Sequence, residues 1–498
     1  MILDFLLYSQ LQFSTWFVLF VFFIVLDVIT IIHVLINKHD EASSALLWIF
    51  LIIVLNVIGV IIYVILGINR VNSTGSRIEK AHIKMLNLRK SENRLSKYLN
   101  ALLKFNYSGP TKDYLKIMDR ILPETYPVTG NKVYLLEDGT AAYPRMLKAI
   151  QNAKDHIHLQ SYIIMNDRIA TKLFDALADK AKNDGVKVKV LFDRLGSKKA
   201  YSKHFFNKWA GKSHNFEIRA FSKFNLLAPY RIQLRNHRKL LICDGKIAFI
   251  GGINISTANI VNLKNKYIHD LHCEITGPSI GEFQFSFLRD WNFVTKIKPY
   301  DLLSKANYFP IPKKCGNAIV RAIPSGPGQA YEASKKLFMS AVAGAKESIW
   351  IITPYFVPDK SFIQLLCMAS ARGVDIRIII PQNNNHWYVR YATRSFYNTL
   401  LKYNIRIFEK KGLFSHVKAT LIDGTWGTMG SSNCDMRSFR LNYELDFAVE
   451  DEDFINTLHR QFLHEIKGSD EITASVRMNR TFYEEIIEDF CSLLTPIL

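Results

Sequence analysis

Two long apolar stretches open the chain, and an alternation of helical and strand-like periods fills the rest. Phe13 to Ile36 is apolar apart from Ser14, Thr15, Asp27, Thr30 and His33, and Ala45 to Gly67 carries no charged residue. Each exceeds the roughly 20 residues a helix needs to cross about 30 Å of hydrocarbon. A short polar connection, Asn37 to Ser44, joins them, so residues 1–68 are expected to form a transmembrane helical hairpin with spans at about 13–36 and 45–67. A cleaved leader fits poorly, because no basic residue precedes the first span and a second span follows directly. An ionised Asp27 costs about 2.5–3.5 kcal/mol in lipid. A hydrogen bond from Asn56, which the folded hairpin brings to similar depth, or protonation or local hydration of the carboxyl would relieve that cost.

Residues 69–110 read as a basic helical linker. Leu88, Leu95, Leu99 and Leu102 keep helical spacing while Arg89, Lys90, Arg94 and Lys97 occupy other faces. Such a helix suits an anionic membrane surface, or packs its one apolar stripe on the protein body. Beyond it the pattern repeats. Arg145 to Tyr162 parallels Lys336 to Tyr355, each an amphipathic helix, a break and an apolar strand. Helices at 169–183 and 361–372 follow, leading to strands that begin at Gly185 and Gly373. Alternating helix and strand predicts two repeated α/β lobes with central mixed sheets, at about 111–310 and 311–498, with a crossover near Pro310 and Pro312. The second lobe ends in an amphipathic tail. Phe482, Ile486, Phe490 and Leu494 recur at helical spacing, as a lipid-facing lip or as a face packed on the body.

Charge narrows the partners. Lys and Arg outnumber Asp and Glu by 64 to 44, a net charge of +20, which favours polyanions: nucleic acid, anionic lipid headgroups or phosphorylated substrates. The apolar spans select lipid among these. From Arg70 to Lys104 nine Lys or Arg stand against Glu79 and Glu92, whereas the hairpin loop holds only Lys38. The positive-inside bias therefore predicts a multi-pass protein of the cell membrane with its lobes on the cytoplasmic side. The six cysteines show neither CxxC pairing nor ligand-like spacing to His, and read as free thiols of a reducing compartment.

The candidate chemistry lies in a duplicated string, His-x-Lys-x4-Asp-x6-Gly-x2-Asn. His237, Lys239, Asp244, Gly251 and Asn254 match His416, Lys418, Asp423, Gly430 and Asn433, every pair 179 positions apart. Each tract reads as strand, turn, strand, with Asp244-Gly245 and Asp423-Gly424 at the turns. Period-two alternation puts each His on the same face as its Lys. Each Asp, an odd seven residues beyond its His, faces away, which suggests turn and structural ion-pair roles for Asp244 and Asp423 within the motif. An imidazole that does chemistry needs a carboxylate to fix its tautomer. Aligned returning strands supply Asp270, assigned to His237, and Glu444, assigned to His416. Two imidazoles, two ammonium groups and two amides around one cavity suit a phosphodiester. Lys239, Lys418, Asn254 and Asn433 would bind the non-bridging oxygens. One imidazole would attack phosphorus while the other protonates the leaving oxygen. No acidic ligand cluster accompanies them, so no metal or other cofactor is expected.

The paired His-Lys-Asp elements resemble the phospholipase D superfamily, and more narrowly its bacterial two-span cardiolipin synthases. The resemblance extends to Trp48, Asn56, Gly59, Tyr63 and Gly67 in the second span, where a Pro is usual at the Asn56 position. It also covers Phe192 to Ser197, Arg235 to Lys239, Thr353 to Pro358, Gly430 to Asn433, Asp435 to Glu444 and the hydrophobic end Leu493 to Leu498. It implies a two-lobed pseudo-dimeric fold and transfer of a phosphatidyl group between two phosphatidylglycerol molecules, releasing glycerol. His237 would be the nucleophile and His416 the general acid and later base. Phosphatidylglycerol and anionic membrane lipids are the implied partners. A phospholipase or another phosphatidyltransferase would use water or a different alcohol in the same site. A membrane-tethered nuclease shares the chemistry too, but no aromatic-studded basic tract suits single strands, and no nucleic-acid partner is expected. A non-catalytic scaffold is disfavoured by intact His and Lys in both copies.

Overall fold

The computed structural model describes residues 2–38, 42–68, 112–221, 234–261, 267–303, 307–327 and 332–493, with residue 495 and short helical pieces at 83–85 and 87–88. The basic linker expected at 69–110 lies almost wholly outside these, as does Leu494. The chain divides into two units, Met1–Ser73 and Thr74–Leu498.

The first unit is a helical hairpin. One helix runs from Ile2 to Lys38, and its segment Trp16–Lys38 is long and apolar enough to cross a membrane. The partner helix Ala42–Leu55 is shorter, because the expected second span breaks at Asn56 before resuming as Val57–Ile62 and a wide turn at Tyr63–Gly67. Asn56 adopts φ 48° and ψ −126°, and its own Oδ1 accepts from Val57 N at 2.7 Å. That local bond occupies the Asn56 carbonyl oxygen, and Asp27 Oδ1 finds no hydrogen-bond partner, so the expected bond from Asn56 does not reach that oxygen. Among the described residues a polar contact between the helices joins His33 Nδ1 to the Tyr63 hydroxyl, 2.9 Å, beside a small core of Val34, Ala45, Ile52, Val60 and Tyr63. Most other apolar side chains described in the hairpin face outward.

The second unit is built on one 15-stranded sheet that both repeats share. From its centre, one half runs Val128–Glu137, Leu271–Thr276, Ile247–Gly251, Leu240–Cys243, His156–Ser161, Lys187–Phe192 and Phe216–Ala220. The other half runs Ala318–Ser325, Glu444–Glu450, Trp426–Gly430, Ala419–Ile422, Ser348–Ile352, Asp375–Pro381 and Arg406–Lys410, with Ser469–Ile472 added at the edge. The order is mirrored about an antiparallel seam pairing Val128 with Val320 and Asn131 with Ala318. Each half keeps its own apolar core. One packs Ile157, Leu159 and Phe249 against Leu173, Phe174 and Leu177, and the other packs Ile349, Ile351 and Ile378 against Phe362 and Leu366. Buried apolar area of this kind contributes about 25 cal/mol per Å².

The motif aspartates end as anchors of turns. Asp244 and Gly245 both have positive φ, 56° and 61°, as do Asp423 and Gly424 at 50° and 61°, the geometry a tight hairpin turn requires. The Asp244 carboxylate accepts from the backbone N–H groups of Lys154, Asp155 and His156, and Asp423 does the same for Lys346, Glu347 and Ser348. The ion-pair role expected for them is therefore corrected. Their partners are main-chain donors that tie each hairpin to the first residue of the neighbouring strand and the two residues before it.

Candidate active site

Neither motif histidine lies within the predicted strand. The strands begin at Leu240 and Ala419, and each His–Lys segment runs extended ahead of them, across the seam. His237 N donates to Tyr443 O at 2.8 Å and Tyr443 N to Arg235 O at 2.7 Å. In the matching place Phe414 and Ser415 pair with Ile268 and His269, and His416 N donates to His269 O at 2.7 Å. Tyr443 and His269 directly precede Glu444 and Asp270. Each half thus inserts its carboxylate beside the other half's histidine.

The consequence reverses the expected pairing. His237 Nδ1 lies 3.0 Å from Glu444, and His416 Nδ1 lies 2.6 Å from Asp270. Sequence alignment correctly equates Asp270 with Glu444 but cannot tell whether a returning strand serves its own repeat or the other. That choice is made by the seam. Glu444 is further held by the Ser431 and Ser438 hydroxyls and the Asn442 amide, while Asp270 accepts from Leu271 N. Lys239 Nζ donates to His237 O at 2.6 Å, and Lys418 Nζ sits 2.7 Å from His416 Nδ1 and 3.6 Å from Asp270.

Both histidines line one cavity of about 540 Å³, together with Asn254, Asn433, Tyr162, Tyr355, Arg235 and Arg437. That size admits a headgroup-sized ligand. Asn254 Oδ1 accepts from Ile163 N, which leaves its NH2 end for a ligand, and Asn433 Oδ1 is buried without a partner. Tyr162 packs edge-on to His237 with ring centroids 4.7 Å apart, and Tyr355 to His416 at 6.3 Å. These tyrosines were not singled out from the motif, although both end the matched upstream repeats. Arg238 was also missed. On the opposite side of the extended segment it is fully buried, donating to Glu444 O, Ser325 O and Asp290, and so staples the two halves behind the site.

Burial sets the electrostatics. It holds the His237 imidazole well below its ordinary value, helped by Lys239 and Lys418 and opposed by the Ser431 carbonyl. Burial and Lys418 bring His416 down to about 4 against the pull of Asp270. The Lys418 ammonium is lowered to about 8 and Lys239 is lowered too, in each case chiefly by burial, to which the charge of Lys418 adds at Lys239. Burial alone would raise Asp270, but Lys418 and His416 outweigh it and keep the carboxylate low, whereas Glu444 is raised by its burial. Two neutral imidazoles, each with Nδ1 held by a carboxylate, leave Nε2 as the nitrogen for nucleophilic or proton-transfer chemistry. Among the described residues, the one grouping of carboxylates and histidine with metal-like spacing is Glu137, Asp138 and His269, not the motif residues. There His269 sits between Asp138 and Glu465, and against the lowering effect of its burial the two carboxylates raise it to about 10.

Comparison with known proteins agrees with this architecture. A family model described as cardiolipin synthase, PLD-like domain, matches residues 146–291 and 338–466, and one described as phospholipase D-nuclease N-terminal matches 25–67. The major cardiolipin synthase ClsA of Bacillus subtilis is 32% identical over 480 residues, covering 96% of this chain and 98% of its own. Cardiolipin synthase 1 of Staphylococcus epidermidis is 33% identical over 475 residues, 93% of this chain and 94% of its own. The crystal structure of phosphatidylserine synthase from Haemophilus influenzae superposes with a TM-score of 0.59 at 13% identity, covering 78% of this chain and all of that one, a likeness of fold. A duplicated His-Lys-Asp site on a mirrored sheet and end-to-end similarity to these relatives place the chain in the cardiolipin synthase family of the phospholipase D superfamily, as a phosphatidyltransferase of that type.

Proposed function

We propose that this protein makes cardiolipin by moving a phosphatidyl group from one phosphatidylglycerol to another, with release of glycerol, through a covalent phosphohistidine. The observation that carries this reading is the pair of imidazoles lining one cavity, each held at Nδ1 by a carboxylate from the opposite half. In the first step His237 Nε2 attacks phosphorus, and His416, neutral in the empty site but protonated once the phosphodiester anion joins Asp270 beside it, gives that proton to the leaving glycerol oxygen. In the second, His416 takes the proton of the incoming hydroxyl as the phosphorus–nitrogen bond breaks. Lys239, Lys418, Asn254 and Asn433 offset the charge that grows on the non-bridging oxygens. Asp270 and Glu444 act as positioning residues, each for the histidine across the seam.

The hairpin is proposed to anchor the protein in the cell membrane by two spans, with the catalytic unit on the cytoplasmic side as the basic linker suggests. Tethering raises the effective concentration of lipid substrate. The tail helix Phe482–Ser492 supports a second contact with lipid. It buries Cys491 and Glu488, the latter paired with Arg477, and leaves Phe482, Ile486 and Phe490 72, 49 and 61% exposed. It docks on the helix Trp387–Arg394, whose Tyr388 and Val389 line the cavity. Purified protein in phosphatidylglycerol vesicles tests the assignment. Cardiolipin with equimolar glycerol supports it, and phosphatidic acid alone would make the enzyme a hydrolase. His237→Ala should abolish turnover, and a His416 variant should retain acid-labile radiolabel on His237; label on His416 in a His237 variant would reverse the roles.

A further inference from the structure

The reacting groups are duplicated, but the cavity around them is not. His, Lys, Asn, Tyr and carboxylate each occur once per half, as a single phosphorus between two imidazoles requires. Two cavity-lining cations break this symmetry. Arg235 corresponds by the 179-residue offset to Phe414, and Arg437 corresponds to Ala258. The His416 side of the cavity is instead lined by Phe414, Tyr355, Tyr388 and Val389, with Asn385 and His386 beside Tyr355. Arg235 is 5% exposed, and its Nε has no hydrogen-bond partner. Its nearest carboxylate, Asp193, stands 3.9 Å away and already accepts from the backbone N–H groups of Leu195, Gly196 and Asn236. Arg437 lines the same cavity, and its guanidinium lies close enough to add to the burial that disfavours the charge on Arg235. A buried guanidinium with an unused donor, facing a cavity beside a second one, is built for an anion with fixed oxygens.

We propose that Arg235 and Arg437 form a second phosphate subsite, which holds the phosphate of the acceptor lipid while its glycerol hydroxyl meets the phosphohistidine. This rests on the reaction proposed above and adds to it the means of choosing the acceptor. In that step the hydroxyl proton passes to His416, a phosphorus–oxygen bond forms, and the phosphorus–nitrogen bond to His237 breaks, returning a neutral imidazole. The product carries two phosphates joined by one glycerol, so an acceptor that already bears a phosphate fills both subsites, and water or glycerol fills one. Binding energy gained only by such an acceptor favours synthesis over hydrolysis.

The test uses full-length protein in phosphatidylglycerol vesicles with two soluble acceptors that differ by one phosphate, labelled glycerol and labelled glycerol 3-phosphate. Wild type is expected to prefer glycerol 3-phosphate at least tenfold in kcat/KM, and Arg235→Gln or Arg437→Gln should bring that ratio to near one. Arg235→Lys should retain part of it. Glycerol exchange in the same sample reports folded enzyme, and the less deeply buried Arg437 serves if Arg235→Gln fails to fold. A wild-type ratio near one, or a ratio unchanged within twofold in the glutamine variants, overturns the subsite. Wild type that exchanges glycerol yet never forms cardiolipin sinks the underlying reaction instead.

Discussion

The crossed carboxylate–histidine pairing can be measured without reference to catalysis. Four single variants, His237→Gln, Glu444→Gln, His416→Gln and Asp270→Asn, and their doubles give coupling energies from unfolding free energies in detergent. Removing one partner of a buried hydrogen bond to a charged group costs about 1.5–3 kcal/mol. Glu444 keeps Ser431, Ser438 and Asn442 when His237 is lost, so the coupling of that pair should lie near the lower end, about 1.5 kcal/mol. Asp270 keeps Leu271 N and the more distant Lys418, so the His416–Asp270 coupling should approach about 3 kcal/mol. Non-contacting pairs, His237 with Asp270 and His416 with Glu444, should couple by less than about 0.5 kcal/mol. Coupling above about 1 kcal/mol for His237 with Asp270, with His237 and Glu444 additive, would refute the exchange and restore a within-repeat pairing.

Lys418 is held down to about 8, so its ammonium is lost as pH rises above that value. The Michaelis constant for the anionic lipid should climb there, and Lys418→Arg, charged at all accessible pH, should move the climb upward. Because the folded value lies below the ordinary 10.5, the unfolded chain holds more protons between about pH 8 and 10.5. This group therefore makes unfolding free energy rise with pH across that window, readable by denaturant titration. A Cβ at Gly252 would collide with the Asp270 carboxylate, so Gly252→Ala should displace the group that orients His416. The turnover rate should fall by about tenfold or more with little change in the lipid Michaelis constant; an unaltered rate would count against a positioning role for Asp270. Asp423→Ala removes the acceptor for three backbone N–H groups and should cost about 3 kcal/mol of stability, seen as a lower denaturation midpoint.

Local chemistry is what the linear chain states best. The apolar spans, the alternation of helix and strand, the turn glycines behind Asp244 and Asp423, and the paired His, Lys, Asn and carboxylate groups of the reacting centre follow from period, propensity and a repeat in register. These depend on neighbours a few positions apart. Asn56 shows the limit even at short range, since its amide oxygen accepts from its own successor while Asp27 Oδ1 stays unpartnered, a local geometry that hydropathy does not register. The tertiary structure decided which half serves which. Asp270 and Glu444 look equivalent in sequence, and nothing local distinguishes a strand that returns to its own histidine from one that crosses. The antiparallel seam and the short pairings of Tyr443 with Asn236 and of His269 with Ser415 make that distinction. The same closure turns two partial motifs into one cavity and exposes the unequal cations at its wall. An active centre shared across a seam depends on which backbone edges meet in space, and that is a property of the packed halves together.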